Sequence, residues 1–146
     1  MRPKILIVDD HEVVRQGVRS IIEKARPDWE ICGEAGNGKE AIQAVRALKP
    51  DVVVLDITMP VMSGLLAASH ISKMDWPCAI LIFTMHESDM LIPHIREVGG
   101  RGYVQKSRAS YDLVLAIDCL LSGGTFFHPQ DRERGGSAPG LSASPS

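Results

Sequence analysis

The sequence predicts an α/β protein of the doubly wound type, in which a parallel sheet is covered by helices on both faces. Three short apolar runs, rich in β-branched residues and without polar alternation, are the main observation. A strand that is hydrophobic on both sides has both faces covered, which is typical of parallel sheets flanked by helices. The runs occupy residues 5–8, 52–55 and 79–83.

Helical patterns between these runs complete the prediction. Weaker strands are expected at residues 30–34 and 102–105, and apolar residues at spacings of three and four predict amphipathic helices elsewhere. The fourth helix should start late or be kinked, because Pro93 lacks a backbone donor and clashes one turn back. The helices are predicted at residues 12–25, after Asn37-Gly38, around 65–71, near 90–98 and around 113–120.

The elements therefore alternate strand and helix five times, which favours one five-stranded parallel sheet. Right-handed crossovers leave few topologies, and among these the flavodoxin-like order 2-1-3-4-5 is favoured. A chain of 146 residues with 45% hydrophobic residues has room for one domain with one core. The three cysteines, widely separated and without a Cys-x-x-Cys pair, are expected to be buried reduced thiols.

Charge and hydropathy exclude two classes of partner. The formal charge of -2 and the pI near 6.2 lack the basic character of a nucleic-acid-binding domain. No apolar run approaches the roughly 18–20 residues that a membrane helix needs, and no signal peptide precedes the first strand. A cytoplasmic protein is expected. From residue 129 to 146 the chain is rich in Gly, Ser and Pro, which predicts a flexible tail or a truncated linker.

Polar residues follow four of the predicted strands at the point where each strand ends. They are Asp9 and Asp10, Asp56, Thr84 and Lys106. Because ligands of open α/β sheets bind beyond the carboxyl ends of the strands, these side chains are expected to meet. Each has an ordinary alternative: Asp9 or Asp10 as a helix cap, Asp56 as the start of a turn, Thr84 as a satisfied strand residue, and Lys106 as a solvated charge.

Such a group of side chains points to a cation and to phosphoryl chemistry. Crowded carboxylates repel one another and push at least one pKa upward, unless a cation lies among them. Oxygen ligands without Cys or His at ligand spacing suit Mg²⁺, and His11 is expected to face solvent. A spare carboxylate beside the ion, opposite Lys and Thr donors, can accept a phosphoryl group.

With these residues in place, the chain resembles a response-regulator receiver domain of two-component systems, most closely the NarL/FixJ subfamily. The resemblance covers residues 4–106, and the fold is expected to extend to about residue 122. A receiver domain over residues 1–128 is implied, followed by the tail at 129–146. The motifs are Ile7-Val-Asp-Asp10, Leu55-Asp-Ile-Thr-Met-Pro60 with Gly64, Phe83-Thr84, Gly102-Tyr-Val-Gln-Lys106, and, for the subfamily, Thr84-Met-His-Glu87, Arg101-Gly-Tyr103 and Gly123-Gly-Thr-Phe-Phe127.

The resemblance implies a role for each matching residue. Asp56 would accept the phosphoryl group and also ligate Mg²⁺, which Asp10 would hold directly and Asp9 mainly through water. Lys106 would pair with the phosphoryl group. The remaining implied roles are the backbone carbonyl of Thr58 as a further metal ligand, Thr84 as the phosphoryl hydrogen-bond donor, and Tyr103 as an aromatic switch that turns inward with Thr84.

The function implied is that of a phosphoacceptor and not of an enzyme, although the domain would assist its own phosphorylation and dephosphorylation. A sensor histidine kinase would be the donor, and a partner or a second copy would bind the switched surface, giving a homodimer on phosphorylation. Control of transcription would need a DNA-binding output domain, which the eighteen residues after His128 are too few to form. The chain is thus expected to be a stand-alone receiver or part of a longer transcription factor.

Other functions remain alternatives. A degenerate receiver would act by protein–protein contact alone, but all five key positions are intact. An aspartyl-phosphate phosphatase would need a carboxylate where Thr58 stands, and an FMN carrier would be repelled by the acidic first loop. His86, two residues beyond Thr84, is hypothesised to tune the lifetime of the phosphoryl group together with Thr58. Phe126 and Phe127 are left open between packing on the fifth helix and an exposed contact.

Overall fold

A computed structural model describes residues 2–85 and 89–127 and contains one sheet of five parallel strands. The spatial order is β2-β1-β3-β4-β5, which confirms the predicted topology. The strands are β1 (Lys4–Val8), β2 (Glu30–Ala35), β3 (Val52–Leu55), β4 (Ala79–Thr84) and β5 (Gly102–Gln105). The helices are α1 (Glu12–Ala25), α2 (Gly38–Leu48), α3 (Gly64–Ser72), α4 (Leu91–Glu97) and α5 (Ala109–Leu121), with a 3₁₀ turn at Lys106–Arg108 before α5.

The sheet separates two hydrophobic layers, and alternate residues of each strand point into opposite layers. Ile5 and Ile7 of β1 pack with α1 and α5, whereas Leu6 and Val8 pack with α2, α3 and α4. All four side chains are at most 1% exposed. This burial on both faces explains why the central strands show no polar alternation in the sequence.

Helix boundaries follow from local chemistry. Asn37 caps α2 and Ser63 caps α3, each through a side-chain oxygen that accepts an N–H of the first turn. The fourth helix begins at Leu91, so Pro93 lies in its first turn, where the missing N–H has no helical acceptor in any case. Of the two expected alternatives, a late start or a kink, the structure shows a start one residue after Met90.

The fold continues past residue 122, the approximate end that the resemblance implies. Phe126 is 2% and Phe127 3% exposed. Phe126 packs in the layer of α1 and α5, and Phe127 in the layer of α4. Phe126 also forms an isolated parallel bridge with Gly102 of β5. The two phenylalanines therefore extend the core on both sides of the sheet edge. The predicted tail at 129–146 lies outside the described residues.

Two further expectations concern cysteines and membranes. All three cysteines are free, but only Cys119 is buried, and Cys32 and Cys78 are half-buried. Burial, the largest cause, raises the pKa of the Cys78 thiol to about 12, which leaves it protonated and unreactive at neutral pH. Within the described residues, every helix is too short or too polar to cross a bilayer.

Candidate functional site

The candidate site lies at the carboxyl edge of the sheet, where strand register brings the predicted residues together. Val8 pairs with Leu55, so Asp9 and Asp56 leave adjacent strands at the same level. Thr84 pairs with Gln105, which places Thr84 next to the residue that precedes Lys106. The expected convergence is confirmed for the side chains of Asp9, Asp56 and Lys106, and strand register places Thr84 at the same edge.

Lys106 lies inside this group and is not a solvated charge. Its side chain is 13% exposed, and its Nζ lies 2.7 Å from Asp9 Oδ2 and 3.5 Å from Asp56 Oδ2. Asp9 Oδ2 is buried and lacks a hydrogen bond of acceptable angle, so the short contact is an ion pair with poor alignment. Among the described residues, one ammonium thus faces two buried carboxylates.

The pKa of the Asp56 carboxyl is raised above its ordinary value. Burial is the largest cause, and the charge of Asp9 adds to it. Lys106 and the backbone N–H of Thr58, 3.4 Å from Asp56 Oδ1, oppose the shift. The sequence predicted a raised pKa from crowded charges, but desolvation contributes more than repulsion does.

The loop between β1 and α1 shapes the acidic pair. Asp9 Oδ1 accepts the backbone N–H of His11 at 2.9 Å. His11 is the N-cap of α1 and makes no side-chain capping bond, so the alternative in which Asp9 or Asp10 caps this helix does not hold. Asp9 instead closes its own turn.

His11 was not among the predicted ligands, although it follows the acidic pair directly. Its side chain is 67% exposed, as expected, yet Nδ1 lies 3.1 Å from Asp10 Oδ1 and 3.3 Å from Asp9 Oδ1. One ligand atom from each of these three residues lies within 4.8 Å of the others. Adjacency in the sequence was the only signal that could have indicated this contact.

The donor set fits the ion that the sequence indicates. Asp9 and Asp10 offer carboxylate oxygens within 4.8 Å of each other, and the buried Asp9 Oδ2 has no well-aligned donor. Mg²⁺ prefers oxygen ligands and is commonly held by one or two carboxylates together with water and phosphate oxygens. The chemistry of the pocket is therefore compatible with Mg²⁺, with Asp10, 27% exposed, on the open side.

The loop between β3 and α3 holds Asp56 by close packing. A Cβ on Gly64 would lie 1.9 Å from the backbone oxygen of Asp56, so only glycine fits there. The Gly64 N–H donates to the carbonyl of Ile57 at 2.7 Å. In the same loop, the N–H of Met62 donates to the carbonyl of Pro60 at 2.7 Å, which closes a γ-turn around Val61. Val61 has φ +71°, a strained value for a β-branched residue.

The other predicted residues have different surroundings. Thr84 is 1% and Tyr103 5% exposed, and Tyr103 packs in the layer that contains α4. The tyrosine is thus turned inward in this structure. Thr58 is exposed beside Asp56. His86 lies outside the described residues.

The fold and this edge define a class of protein: a doubly wound α/β domain with a buried acidic pocket faced by one lysine. The family follows from the sequence, because the model of the response regulator receiver domain matches residues 5–118. The chain belongs to this family. Receiver domains are typically signal transducers rather than enzymes.

Individual relatives agree with the family. The chain is 39% identical over 132 residues to the transcriptional regulatory protein YdfI of Bacillus subtilis, covering 90% of this chain and 61% of that protein. It is 40% identical over 124 residues to the oxygen regulatory protein NreC of Staphylococcus haemolyticus, covering 84% of this chain and 57% of that one. The chain thus spans roughly three fifths of the length of these relatives.

A solved structure shows the same fold with substantial identity. A LuxR-family two-component response regulator from Aurantimonas sp. SI85-9A1 superimposes with a TM-score of 0.83 at 38% identity, covering 91% of this chain and 94% of that chain. The chain is therefore a receiver domain of a NarL/LuxR-type response regulator of a two-component system.

Proposed function

We propose that this receiver accepts a phosphoryl group on Asp56 from the phosphohistidine of a sensor histidine kinase. The observation that carries the proposal is the pairing of a buried Asp56 with the Lys106 ammonium at 3.5 Å, beside Asp9 and Asp10. In the transfer, an oxygen of Asp56 forms a bond to phosphorus while the bond from phosphorus to the imidazole nitrogen breaks. The imidazole keeps the electron pair of that bond.

Each residue has a defined part in this proposal. Asp10 would bind Mg²⁺ directly, Asp9 would act mainly through water, and Asp56 and the backbone carbonyl of Thr58 would complete the protein ligands. Mg²⁺, when bound, offsets the charge of the phosphoryl oxygens. Lys106, which pairs with Asp9 and Asp56 in this structure, turns its charge to the incoming phosphoryl group, which brings about -1.5 to -2 units.

The signal leaves the site through Thr84 and Tyr103. Thr84, at the end of β4, donates its hydroxyl to a phosphoryl oxygen, and phosphorylation favours the inward position of Tyr103, in which the ring packs in this structure. The surface of α4, β5 and α5, or that of α1 and α5, then binds a partner or a second copy. The phosphoryl group thus changes the local charge at Asp56, and this change shifts the surface between its two conformations.

The wider role belongs to the same proposal. Both relatives described above carry the word "regulatory" in their names and are longer than this chain. We propose that residues 1–128 form the receiver unit, with 129–146 as tail or linker, and that it controls transcription through an output domain outside this chain. The chain itself would bind neither nucleic acid nor membrane, and it would work in the cytoplasm.

Intact mass after incubation with a small-molecule phosphodonor and Mg²⁺ tests the acceptor. We expect a gain of one phosphoryl group that Asp56→Asn or EDTA abolishes. Asp75→Asn, at an exposed carboxylate away from the site, is the matched control and should gain normally. No gain in the wild-type protein, even from a histidine kinase, would indicate a degenerate receiver, and a gain in Asp56→Asn would mean that the acceptor lies elsewhere.

Thermal unfolding tests the metal site independently. Asp10→Asn removes one charge from the crowded edge, so the melting temperature without metal should rise while the stabilisation by Mg²⁺ disappears. Differential scanning fluorimetry with and without Mg²⁺ measures both effects. A variant that melts lower without metal, or that still gains from Mg²⁺, contradicts the proposed ligand.

A further inference from the structure

Arg15, in the first turns of α1, reaches back over the loop that carries the acidic pair. Its Nη1 donates to the backbone carbonyl of Asp9 at 2.6 Å. That carbonyl belongs to the peptide unit that joins Asp9 to Asp10. The Arg15 side chain is 20% exposed, so most of its length is enclosed by the protein.

A second contact holds Arg15 in this position. Its Nε donates to Glu34 Oε1 at 2.9 Å, and Glu34 belongs to the neighbouring strand β2. The other oxygen of Glu34 accepts two bonds from Arg19, at 3.0 and 2.8 Å. The hydrogen bond from Arg19, the largest cause, lowers the pKa of Glu34, burial opposes it, and Arg15 lowers it further. Glu34 therefore stays ionised and anchors Arg15 to the sheet.

Two other hydrogen bonds also help to fix the loop that carries Asp9 and Asp10. The Asp9 N–H donates to the carbonyl of Ala35 at 3.1 Å, and the His11 N–H donates to Asp9 Oδ1. These bonds fix the amide before Asp9 and the side chain of Asp9. The peptide plane after Asp9 receives its bond from Arg15. Rotation of that plane would displace Asp10, whose carboxylate lies on the open side of the pocket.

We propose that Arg15 is a positioning residue for the cation site, acting through the Asp9–Asp10 peptide and anchored by Glu34. The inference rests on the proposed function, because it concerns the same Mg²⁺. The ion demands nearly ideal octahedral geometry, so its affinity falls when one carboxylate is displaced. Groups that orient metal ligands from the second layer typically change affinity by about 10–100-fold when they are removed.

The sign of the effect separates positioning from plain electrostatics. A guanidinium near a cation site repels the cation, so removal of its charge alone should tighten Mg²⁺ binding. If Arg15 positions Asp10, its removal should weaken Mg²⁺ binding in spite of the lost repulsion. Opposite signs are expected from the two explanations, and one titration distinguishes them.

Arg19 provides the matched control. It binds the same Glu34 from the same helix, yet its hydrogen bonds go to Glu34 and Glu23 and not to the Asp9 carbonyl. Arg15→Ala and Arg19→Ala therefore both remove an ion pair with Glu34, and only the first removes the bond to the peptide. Arg15→Lys keeps the charge, but an ammonium lacks the fork that reaches two acceptors at fixed positions.

The experiment measures the dissociation constant of Mg²⁺ by isothermal titration calorimetry at constant ionic strength, with the melting temperature of each variant as a check of folding. We expect Arg15→Ala to raise the constant about 10-fold, Arg15→Lys to raise it by at least about 3-fold, and Arg19→Ala to stay within about 2-fold of the wild-type protein. The amide chemical shift of Asp10 should move in both Arg15 variants and stay in place in Arg19→Ala.

Specific outcomes overturn the inference. Tighter Mg²⁺ binding in Arg15→Ala would mean that Arg15 acts only by repelling the cation. Equal weakening of Mg²⁺ binding in Arg15→Ala and Arg19→Ala would mean that both arginines act only by stabilising α1. Should Arg15→Ala fail to fold, Arg15→Lys alone carries the test, and wild-type affinity in that variant contradicts positioning. A wild-type protein without Mg²⁺ binding would overturn the proposed function together with this inference, whereas normal wild-type binding that Arg15→Ala leaves unchanged overturns the inference alone.

Discussion

The two loops that carry the carboxylates are held in place by different means. The loop from β1 to α1 is held by polar contacts from other elements, namely the carbonyl of Ala35 and the guanidinium of Arg15. The loop from β3 to α3 is held by a steric fit at Gly64 and contains a strained residue at Val61. The first arrangement depends on donors and charges, and the second depends on shape.

This difference predicts how each loop fails. Hydrogen bonds can be removed one at a time, each at a net cost of about 0.5–1.5 kcal/mol. Successive substitutions in the first loop should therefore reduce stability in small steps. At Gly64 an added side-chain atom would overlap the backbone of Asp56, and the close-packed interior leaves no room for a small adjustment. A single substitution at Gly64 should therefore cause a large loss of stability in the second loop.

The largest effect is expected for Gly64→Ala. The new Cβ would lie 1.9 Å from the oxygen and 2.7 Å from the carbonyl carbon of Asp56, so either Asp56 or the start of α3 must shift. We expect a loss of about 3 kcal/mol in the free energy of unfolding and loss of phosphoryl uptake. Urea unfolding and intact mass measure the two effects.

Gly17→Ala is the matched control for that substitution. Gly17 lies in α1 with nothing within 4 Å of a Cβ, so alanine should stabilise the helix by up to about 1 kcal/mol. The same chemical change thus has opposite signs at two helix positions. Equal effects at both would mean that the packing at Gly64 does not hold Asp56.

A smaller effect is expected for Asp56→Asn without metal. The folded-state pKa of Asp56 is raised, so between the ordinary value of 3.8 and that higher pKa the folded protein binds more protons than the unfolded chain. Stability therefore falls as pH rises through the folded pKa, and the asparagine variant escapes this loss. Its melting temperature should exceed that of the wild-type protein by about 2–4 °C near neutral pH, for roughly 1 kcal/mol.

The pH dependence makes the prediction specific. The advantage of Asp56→Asn should shrink toward acidic pH, where the wild-type carboxyl is also neutral in both states. Scans between about pH 4 and pH 7 in EDTA measure it, with Asp75→Asn as a surface control. A lower melting temperature for Asp56→Asn at neutral pH would show that the ion pair with Lys106 outweighs desolvation.

The smallest effect is expected for Val61→Gly, which relaxes the second loop. Glycine accepts φ +71° freely, so relief of strain should exceed the added flexibility of the unfolded chain and stabilise the protein by about 1 kcal/mol or less. Val13 is 78% exposed and Val61 76%, but Val13 lies in α1, where glycine should cost about 0.5 kcal/mol. Destabilisation by both changes would show that the γ-turn stores no strain.

The sequence predicted the sheet and its edge because strong local signals agreed. Buried parallel strands show unbroken apolar runs, and the polar residues that follow four of the strands locate a site once the strand order is known. The ranges of α1, β3 and β5 agree with prediction for this reason. The remaining helix ends differ by a few residues, because caps and turns depend on single contacts.

The finer contacts of the site had no such signal. Arg15 and Glu34 belong to different elements, and their contact depends on the register of β2 against β1. The cause of the raised Asp56 pKa required the depth of burial, which a pattern of residue types does not contain. Phe126 and Phe127 form no period of their own, so their packing became visible only with the sheet edge in place.

The segment around Phe126 also changes how this sheet meets other molecules. The Phe126 N–H donates to the carbonyl of Arg101 at 3.0 Å, and the Tyr103 N–H donates to the carbonyl of Phe126 at 2.8 Å. These bonds satisfy outward-facing groups of β5 that would otherwise be free to pair with a strand of another chain. A version of this protein that ended before Gly124 would expose that edge and, with it, a template for strand addition and aggregation. The last described residues thus protect the β5 edge of the sheet.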